Sequence, residues 1–301
     1  MQIEPNRMVG VGDGSSVRHF PLVTHQISPH WTWDGQSMDV DRYMEQAQVS
    51  GILVLRDGKI LYERYGLGRT AKDHWDGQST TKSLTALLIG SAIQDGCVQS
   101  MDSLVTDYLP ELKESAYDGV TIRHLATMTS GVKWDEDLLY ELWEEPFLDR
   151  VDPTIAFMRR LPRAAEPGIK FNYSTADTDL AGILVSKAVG KSLSEYLSVK
   201  IWQAYGMEHE AYWLTDSAGF ERGGGTFLTT LRDFARIGQF VLEGGKAGGA
   251  QVLPPDWLSQ ATSTHVTFSP DERVDKSKLG YGYCWWLRKD GYMAHGYAGQ
   301  A

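Results

Sequence analysis

Ser79-Thr80-Thr81-Lys82-Ser83-Leu84-Thr85-Ala86-Leu87-Leu88-Ile89-Gly90-Ser91-Ala92-Ile93-Gln94 is the stretch from which the rest of the chain is best read. Leu84, Leu87, Leu88 and Ile93, with small residues between them, predict a helix over 83–94 that Asp95-Gly96 ends. Ser79 and Lys82 stand at its start, and residues i and i+3 share a helix face, so Lys82 should project beside the Ser79 hydroxyl. A serine at a helix N-terminus also faces the helix dipole and free N–H groups, which favour developing negative charge. The same residues would equally suit a plain N-cap and a solvated first-turn lysine. Ser-x-x-Lys recurs at Ser130-Gly131-Val132-Lys133, but that copy carries a glycine and lies past a helix end, so its lysine need not approach its serine.

Working outward, two apolar runs, 50–56 and 59–65, flank Asp57-Gly58. Asp-Gly supplies the positive φ angles of a type I′ turn, so a β-hairpin is predicted. Its first strand is apolar almost throughout, as for a strand covered on both faces. Residues 1–38 read as an extended surface arm. Further helical patterns cover 40–48, 121–128, 154–161, 177–189, 193–204 and 230–242. A second hairpin is predicted around Lys289-Asp290-Gly291, with strands over 281–288 and 292–297. Strands thus open and close the chain while helices fill its middle, which predicts an α+β fold. The expected division is a sheet region of 1–75 with 270–301, and a mainly helical region of 76–269 inserted between them.

Composition narrows the function classes. The 301 residues are 42% hydrophobic and 23% charged, ordinary for a soluble globular protein. Twenty-nine basic against 39 acidic side chains give a net charge of −10, which repels phosphate backbones and argues against nucleic-acid binding. No window is apolar enough to span a membrane, and the first residues lack the basic start and apolar core of a signal peptide; a cytoplasmic location is expected. Cys97 and Cys284 are far apart and are expected to be buried free thiols. The eight histidines show no metal-ligand spacing, and no phosphate-binding or zinc motif occurs, so neither a metal nor a cofactor is expected.

Two further elements bear on Ser79. Glu166-Pro167-Gly168-Ile169-Lys170-Phe171-Asn172-Tyr173-Ser174-Thr175 is a turn that delivers a tyrosine just before a helix. Ala294-His295-Gly296-Tyr297-Ala298-Gly299-Gln300 reads as a strand whose small residues let a ligand approach its backbone. Taken singly, each also suits a capping segment and a tight edge strand.

In this order the three elements resemble those of the penicillin-recognising serine hydrolases of the serine β-lactamase family, class C-like, with their peptidase and esterase relatives. Those members carry Ser-x-x-Lys at a core helix, a Tyr-x-Asn element (here Tyr173-Ser174-Thr175) and a Lys-Thr-Gly strand (here His295-Gly296-Tyr297). The resemblance spans about 51–300 and is strongest to 6-aminohexanoate-dimer (nylon oligomer) hydrolases and related carboxylesterases. Leu53-Val54-Leu55-Arg56, Thr81-Lys82-Ser83-Leu84, Tyr173-Ser174-Thr175-Ala176-Asp177-Thr178-Asp179 and Trp285-Trp286 carry it. His124-Leu125-Ala126-Thr127-Met128-Thr129-Ser130-Gly131 and Gly223-Gly224-Gly225 add to it. It implies a sheet built from both chain ends. Members continue past the point where this chain stops, so a truncated product with a discontinuous sheet is expected.

The resemblance implies covalent acyl transfer on Ser79 with Lys82 and Tyr173. A free lysine or tyrosine, with a pKa of ~10.4 or ~10, is no adequate base at neutral pH unless its surroundings alter it. Tyr173 would take the proton from Ser79 or pass it to the leaving group, then activate water for deacylation. The oxyanion hole would be the N–H of Ser79 and one near Tyr297 or Ala298. For substrate, Asp135, Glu136 or Asp137 would attract an ammonium while Trp134 packs on its alkyl chain, with Thr175, His295 and Gly296 lining the cleft. Trp143, Trp213, Trp285 and Trp286 suit core and pocket equally. The expected substrate is a small ester or linear amide, and a homodimer is compatible with this reading. A β-lactamase or D-amino-acid peptidase is the first rival, weakened by Thr175 where Asn is usual. A catalytically silent scaffold is the second, weakened by retention of all three reactive residues.

Overall fold

The structure is a computed structural model that describes residues 6–14, 16–24, 27–147, 151–268 and 275–301. The predicted helix at 83–94 starts earlier: helix α1 spans Thr80–Gln94 and takes Lys82 into its first turn. It is buried on all sides from Thr81 to Ala92, so its side chains must be small wherever a neighbour approaches closely. At Gly90 an added Cβ would lie 2.6 Å from the Trp257 ring. Beside it packs helix α2, Thr175–Val189, capped by the Ser174 hydroxyl, which accepts from the Asp177 N–H at 3.0 Å, and closed by Gly190 at φ +65°. Helix α3, Leu231–Leu242, begins at a Thr230 cap as expected. The pattern over 193–204 is broken into Leu193–Leu197, a π-turn Ser198–Trp202 and Gln203–Tyr205.

The Asp57-Gly58 hairpin forms, pairing Gly51–Arg56 with Lys59–Tyr65, and both turn residues have positive φ. Its first strand is not covered on both faces: Val54 is 37% exposed, whereas Ile60, Leu61 and Tyr62 of the second strand are buried. The apolar run was therefore a poor guide to which strand faces the core. The hairpin and a four-stranded antiparallel sheet near the C-terminus (Val266–Thr267, Gly280–Tyr281, Trp286–Arg288, Gly291–Met293) are separate sheets among the described residues.

Three elements differ from expectation. The 1–38 arm contains regular structure: Asn6–Val9 pairs with Ala211–Leu214, and a hairpin joins His30–Trp33 to Gln36–Asp39 through Asp34-Gly35. That turn carries the same positive-φ signal as Asp57-Gly58. Within 76–269 lie two strands, Ala211–Leu214 and Phe227–Thr230, of a sheet completed by Asn6–Val9 and His74–Asp76. The boundary drawn at 75/76 is thus no break in the sheet, and the one at 269/270 lies outside the described residues. Finally, the closing strand ends at Met293, and Tyr297–Gly299 form a 3-10 turn. The chain leaves the sheet there because Gly296 passes over the 77–78 backbone, where an added Cβ would lie 2.5 Å from the Gly77 carbonyl oxygen.

Both cysteines are free; Cys284 is buried, but Cys97 is exposed, contrary to expectation. Among the described residues no helix is long and apolar enough to cross a membrane.

Candidate active site

Ser79 is delivered by a strand, a strained turn and a helix. His74–Asp76 is an edge strand paired with Phe227–Thr230. Gly77 extends this pairing by donating to Phe227 O at 2.8 Å, and Gln78 follows at φ +49°. A non-glycine residue at positive φ is held only when its surroundings over-determine it; here the Asp76 carboxylate accepts from the Gln78 N–H at 2.8 Å and from its side-chain amide. The next residue is Ser79, and its side chain makes no capping bond. The plain N-cap is thereby set aside.

Lys82 is 1% exposed. Its Nζ lies 3.0 Å from Ser79 Oγ, 2.8 Å from Thr175 Oγ1 and 2.5 Å from the Gly224 carbonyl oxygen. The Gly224 carbonyl can only accept from Nζ, whereas the Thr175 and Ser79 hydroxyls can each accept or donate. The solvated first-turn lysine is therefore not what the fold builds, and the contrast with Lys133, which is exposed, follows the sequence reading. Gly224 reaches Lys82 only because it lacks a side chain: an added Cβ would meet Thr175 O at 2.5 Å and Asp179 Oδ1 at 3.1 Å. Asp179 holds that peptide from the other side, accepting from Gly224 N at 2.6 Å. Burial pushes the Asp179 carboxyl up to about 6 despite this donor.

Tyr173 arrives on a segment pinned to 128–131. Met128 O accepts from Asn172 N, Thr129 O from Gly168 N, and Gly131 O from both Ala164 N and Ala165 N. Gly131 sits at φ +75° with no room for a Cβ, which would lie 2.2 Å from Ala165 O. The tyrosine ring then faces Lys82, its centroid 5.0 Å from Nζ, and stacks on Trp286 at 5.8 Å and 21°. Lys278 Nζ lies 4.0 Å from the Trp286 ring centroid. Among the described residues the Tyr173 hydroxyl is in no hydrogen bond, so it is the ring face rather than the oxygen that touches Lys82.

Several expected substrate positions are otherwise occupied. Trp134 is 6% exposed, packs edge-on against Phe157 and donates from Nε1 to Glu136 Oε1 at 2.6 Å. Glu136 also accepts from the Thr175 N–H at 2.8 Å and hydroxyl at 2.6 Å. Both of its oxygens are taken, so it is not open to a substrate ammonium. Thr175 is likewise committed between Glu136 and Lys82. Asp135 and Asp137 remain exposed, with Asp135 capping the short turn through the Asp137 N–H. Of the four ambiguous tryptophans, Trp213 and Trp285 are core, Trp143 is partly exposed under the Arg222 guanidinium, and Trp286 lies at the site.

Gly296 is pressed against Gly77 and Gln78, the two residues that precede Ser79. Among the described residues neither the Ser79 nor the Tyr297 N–H donates to a backbone carbonyl. Ala298 adopts φ +57° in this turn. His295 is half-buried with a buried, unpartnered Nδ1. Burial, with Lys278 nearby, holds its pKa below the usual histidine value, so the ring is neutral at pH 7.

The Beta-lactamase family model matches residues 39–301. The chain belongs to the Beta-lactamase family. That family is one of serine hydrolases. Among curated proteins the chain is similar to the 6-aminohexanoate-dimer hydrolase of Paenarthrobacter ureafaciens, at 30% identity over 73% of this chain and 58% of that protein. It is also similar to a beta-lactamase of Escherichia coli K12, at 28% identity over 55% of this chain and 44% of that protein. The chain thus spans about half the length of the curated relatives it matches. Among solved structures, a candidate 6-aminohexanoate-dimer hydrolase from Bacillus anthracis superposes with a TM-score of 0.84 at 22% identity, covering 98% of this chain and 80% of that one. The hydrolase EstCE1, described as having promiscuous acyltransferase activity, gives 0.67 at 17% identity, covering 83% and 81%. These likenesses place the fold in the family, in agreement with the α+β reading.

Sequence reasoning missed the Gly224 carbonyl, the backing role of Asp179 and the partnering of Glu136 with Thr175. The Gly223-Gly224-Gly225 run was the available signal for the first. Nothing local in the sequence marks the other two, because their partners lie 45 and 39 residues away.

Proposed function

We propose that the chain is a serine esterase or amidase that forms an acyl-enzyme on Ser79 and acts on small carboxylic esters or linear amides. The observation that carries this is the 3.0 Å contact between Ser79 Oγ and the Nζ of a fully buried lysine. A lysine placed there has no structural need to approach a serine at the mouth of a helix, whereas a nucleophile needs a base within hydrogen-bond reach.

Lys82 is better placed than Tyr173 to accept the Ser79 proton, because its Nζ is already in contact. The proton passes from Ser79 Oγ to Lys82 Nζ as the Oγ–carbonyl carbon bond forms and the carbonyl π electrons move to oxygen. That oxyanion would be met by the Ser79 N–H at the start of α1 and by the Tyr297 N–H, with Ala298 adjoining. Tyr173, whose ring lies over Lys82 and stacks on Trp286, would give its own hydroxyl proton to the leaving group and recover one from the Lys82 ammonium, which restores the neutral amine for the attacking water. His295 and Gly296, the latter against Gly77 and Gln78, would line the cleft beside Ser79. The linear-amide preference rests on the likeness to 6-aminohexanoate-dimer hydrolase, with exposed Asp135 and Asp137 as the remaining candidates to attract an ammonium.

The test is hydrolysis of p-nitrophenyl acetate and butyrate, a linear aminohexanoyl amide and nitrocefin by wild type and Ser79→Ala. Ester or linear-amide turnover that disappears in Ser79→Ala supports the reading. Turnover of nitrocefin alone would favour the β-lactamase alternative, and Ser79-independent turnover would refute the assignment.

A further inference from the structure

We propose that Glu136 is a positioning residue that fixes the direction of the hydrogen bonds around Lys82, so that the lysine lone pair faces Ser79. The inference rests on the reading of Ser79 as nucleophile and Lys82 as its base. It follows from counting protons. Glu136 receives three donors, Trp134 Nε1–H and Thr175 N–H at Oε1 and the Thr175 hydroxyl at Oε2. A carboxylate is acceptor-only, and three donors with no acceptor contact are the surroundings a carboxylate requires.

The Thr175 hydroxyl has a single proton, and Glu136 takes it at 2.6 Å. Its oxygen can therefore only accept from Lys82 Nζ, 2.8 Å away. The Gly224 carbonyl, 2.5 Å from Nζ, can never do anything but accept. A neutral amine has two N–H bonds and one lone pair. With both N–H bonds committed to Thr175 and Gly224, the third tetrahedral direction, towards Ser79, holds the lone pair. The Ser79 hydroxyl then donates to it, and its proton moves to Nζ as Oγ attacks. Were Thr175 free to rotate, its proton could occupy the lone pair instead and leave Lys82 facing Ser79 with N–H. Glu136 removes that alternative without touching either reacting atom.

Trp134 and the short turn after it complete the device. Trp134 Nε1 ties Oε1 to a buried ring in the core, and Asp135 caps the 136–138 turn. The acidic segment that resembled a substrate-attracting loop thus divides by burial: its middle carboxylate looks inward, and its neighbours look out.

The experiment compares wild type with Glu136→Gln, Thr175→Val and Thr175→Ser, each checked for cooperative thermal unfolding. It follows fluorophosphonate labelling of Ser79 and p-nitrophenyl acetate kinetics. In Glu136→Gln the amide NH₂ donates to Thr175 Oγ1, turning the threonine proton towards Lys82. The expected result is a ten- to hundredfold loss of labelling rate and kcat, with KM within about threefold. Thr175→Val should lose as much, while Thr175→Ser, which keeps the hydroxyl, should stay within about threefold of wild type. A folded Glu136→Gln that labels Ser79 at the wild-type rate overturns the proposal. If Glu136→Gln does not fold, equal labelling by Thr175→Val and Thr175→Ser overturns it. Wild type that fails to label at Ser79 refutes the nucleophile assignment itself, and this inference falls with it.

Discussion

Replacing Gly224 by alanine tests whether the Gly224 peptide really holds Lys82, and Gly225 supplies a matched control one residue away. At Gly224 a new Cβ would stand 2.5 Å from Thr175 O and 2.7 Å from Thr175 Cγ2, whereas at Gly225 it would meet nothing within 4 Å. An ordinary contact begins near 3.4 Å, so the Gly224 backbone must retreat by about 0.9 Å (3.4 − 2.5) from α2. The carbonyl starts 2.5 Å from Lys82 Nζ, and a shift of that size takes the bond to the edge of hydrogen-bonding distance. A hydrogen bond to a charged group contributes ~1.5–3 kcal/mol, and an unpaired buried acceptor such as Asp179 costs another ~1–3 kcal/mol. Gly224→Ala should therefore lose roughly 3–5 kcal/mol. At ~2.1 cal/mol/K of unfolding entropy per residue that lowers Tm by about 5–8 °C, and ester hydrolysis should fall at least tenfold because Lys82 is no longer held. Gly225→Ala should change Tm by under ~1 °C and leave the rate unchanged. Differential scanning calorimetry with an ester assay reads both, and equal behaviour of the two variants would refute the geometry.

The stack that holds Tyr173 should be measurable through Trp286. An aromatic pair contributes ~0.5–1.5 kcal/mol, so Trp286→Ala should lower kcat by up to about tenfold, and Trp286→Phe less. An unchanged kcat in Trp286→Ala would remove the stack from the account. Burial raises the Asp177 carboxyl from 3.8 to about 6 although Tyr117 donates to it. Its folded form therefore holds more protons between about pH 4 and 6, and its contribution to stability falls as pH rises through that window. Asp177→Asn should stabilise the protein at pH 8 relative to pH 4 by about 2–3 kcal/mol, read as the change in urea midpoint; no difference between the two pH values would contradict the shift. Cys284 is buried and its thiol is pushed up to about 12, whereas Cys97 is exposed. Ellman's reagent should titrate one thiol in the native protein and both in guanidinium.

Local signals carried the fold further than long-range ones. Asp-Gly marks three hairpins in the described residues; those at 57–58 and 290–291 were read, and the one at 34–35, between short runs of Trp and Met, was not. The α1 helix was legible because it is apolar and ends at Asp95-Gly96. Ser79 and Lys82 were legible because their relation is local, one helical turn. Tyr173 was legible only through resemblance, since its place depends on hydrogen bonds from 128–131 to 164–172. Glu136 was misread because sequence shows three carboxylates in a row and cannot show which one turns inward. Its partner Thr175 reads as a departure from a pattern, whereas in the fold its hydroxyl joins Lys82 to Glu136. The expected closing strand at 294–300 failed for a similar reason: small residues there serve the close passage of Gly296 over Gly77, not pairing.

The central claim is that Ser79 is a nucleophile activated by Lys82. Wild type, Lys82→Met and Ser79→Ala, all shown to be folded, would be incubated with a fluorophosphonate and analysed by intact mass and peptide mapping. The account predicts a single adduct on Ser79 in wild type, slowed at least a hundredfold in Lys82→Met and absent in Ser79→Ala. Labelling of Ser79 at the same rate in Lys82→Met, or no adduct on a folded wild-type protein, would contradict it.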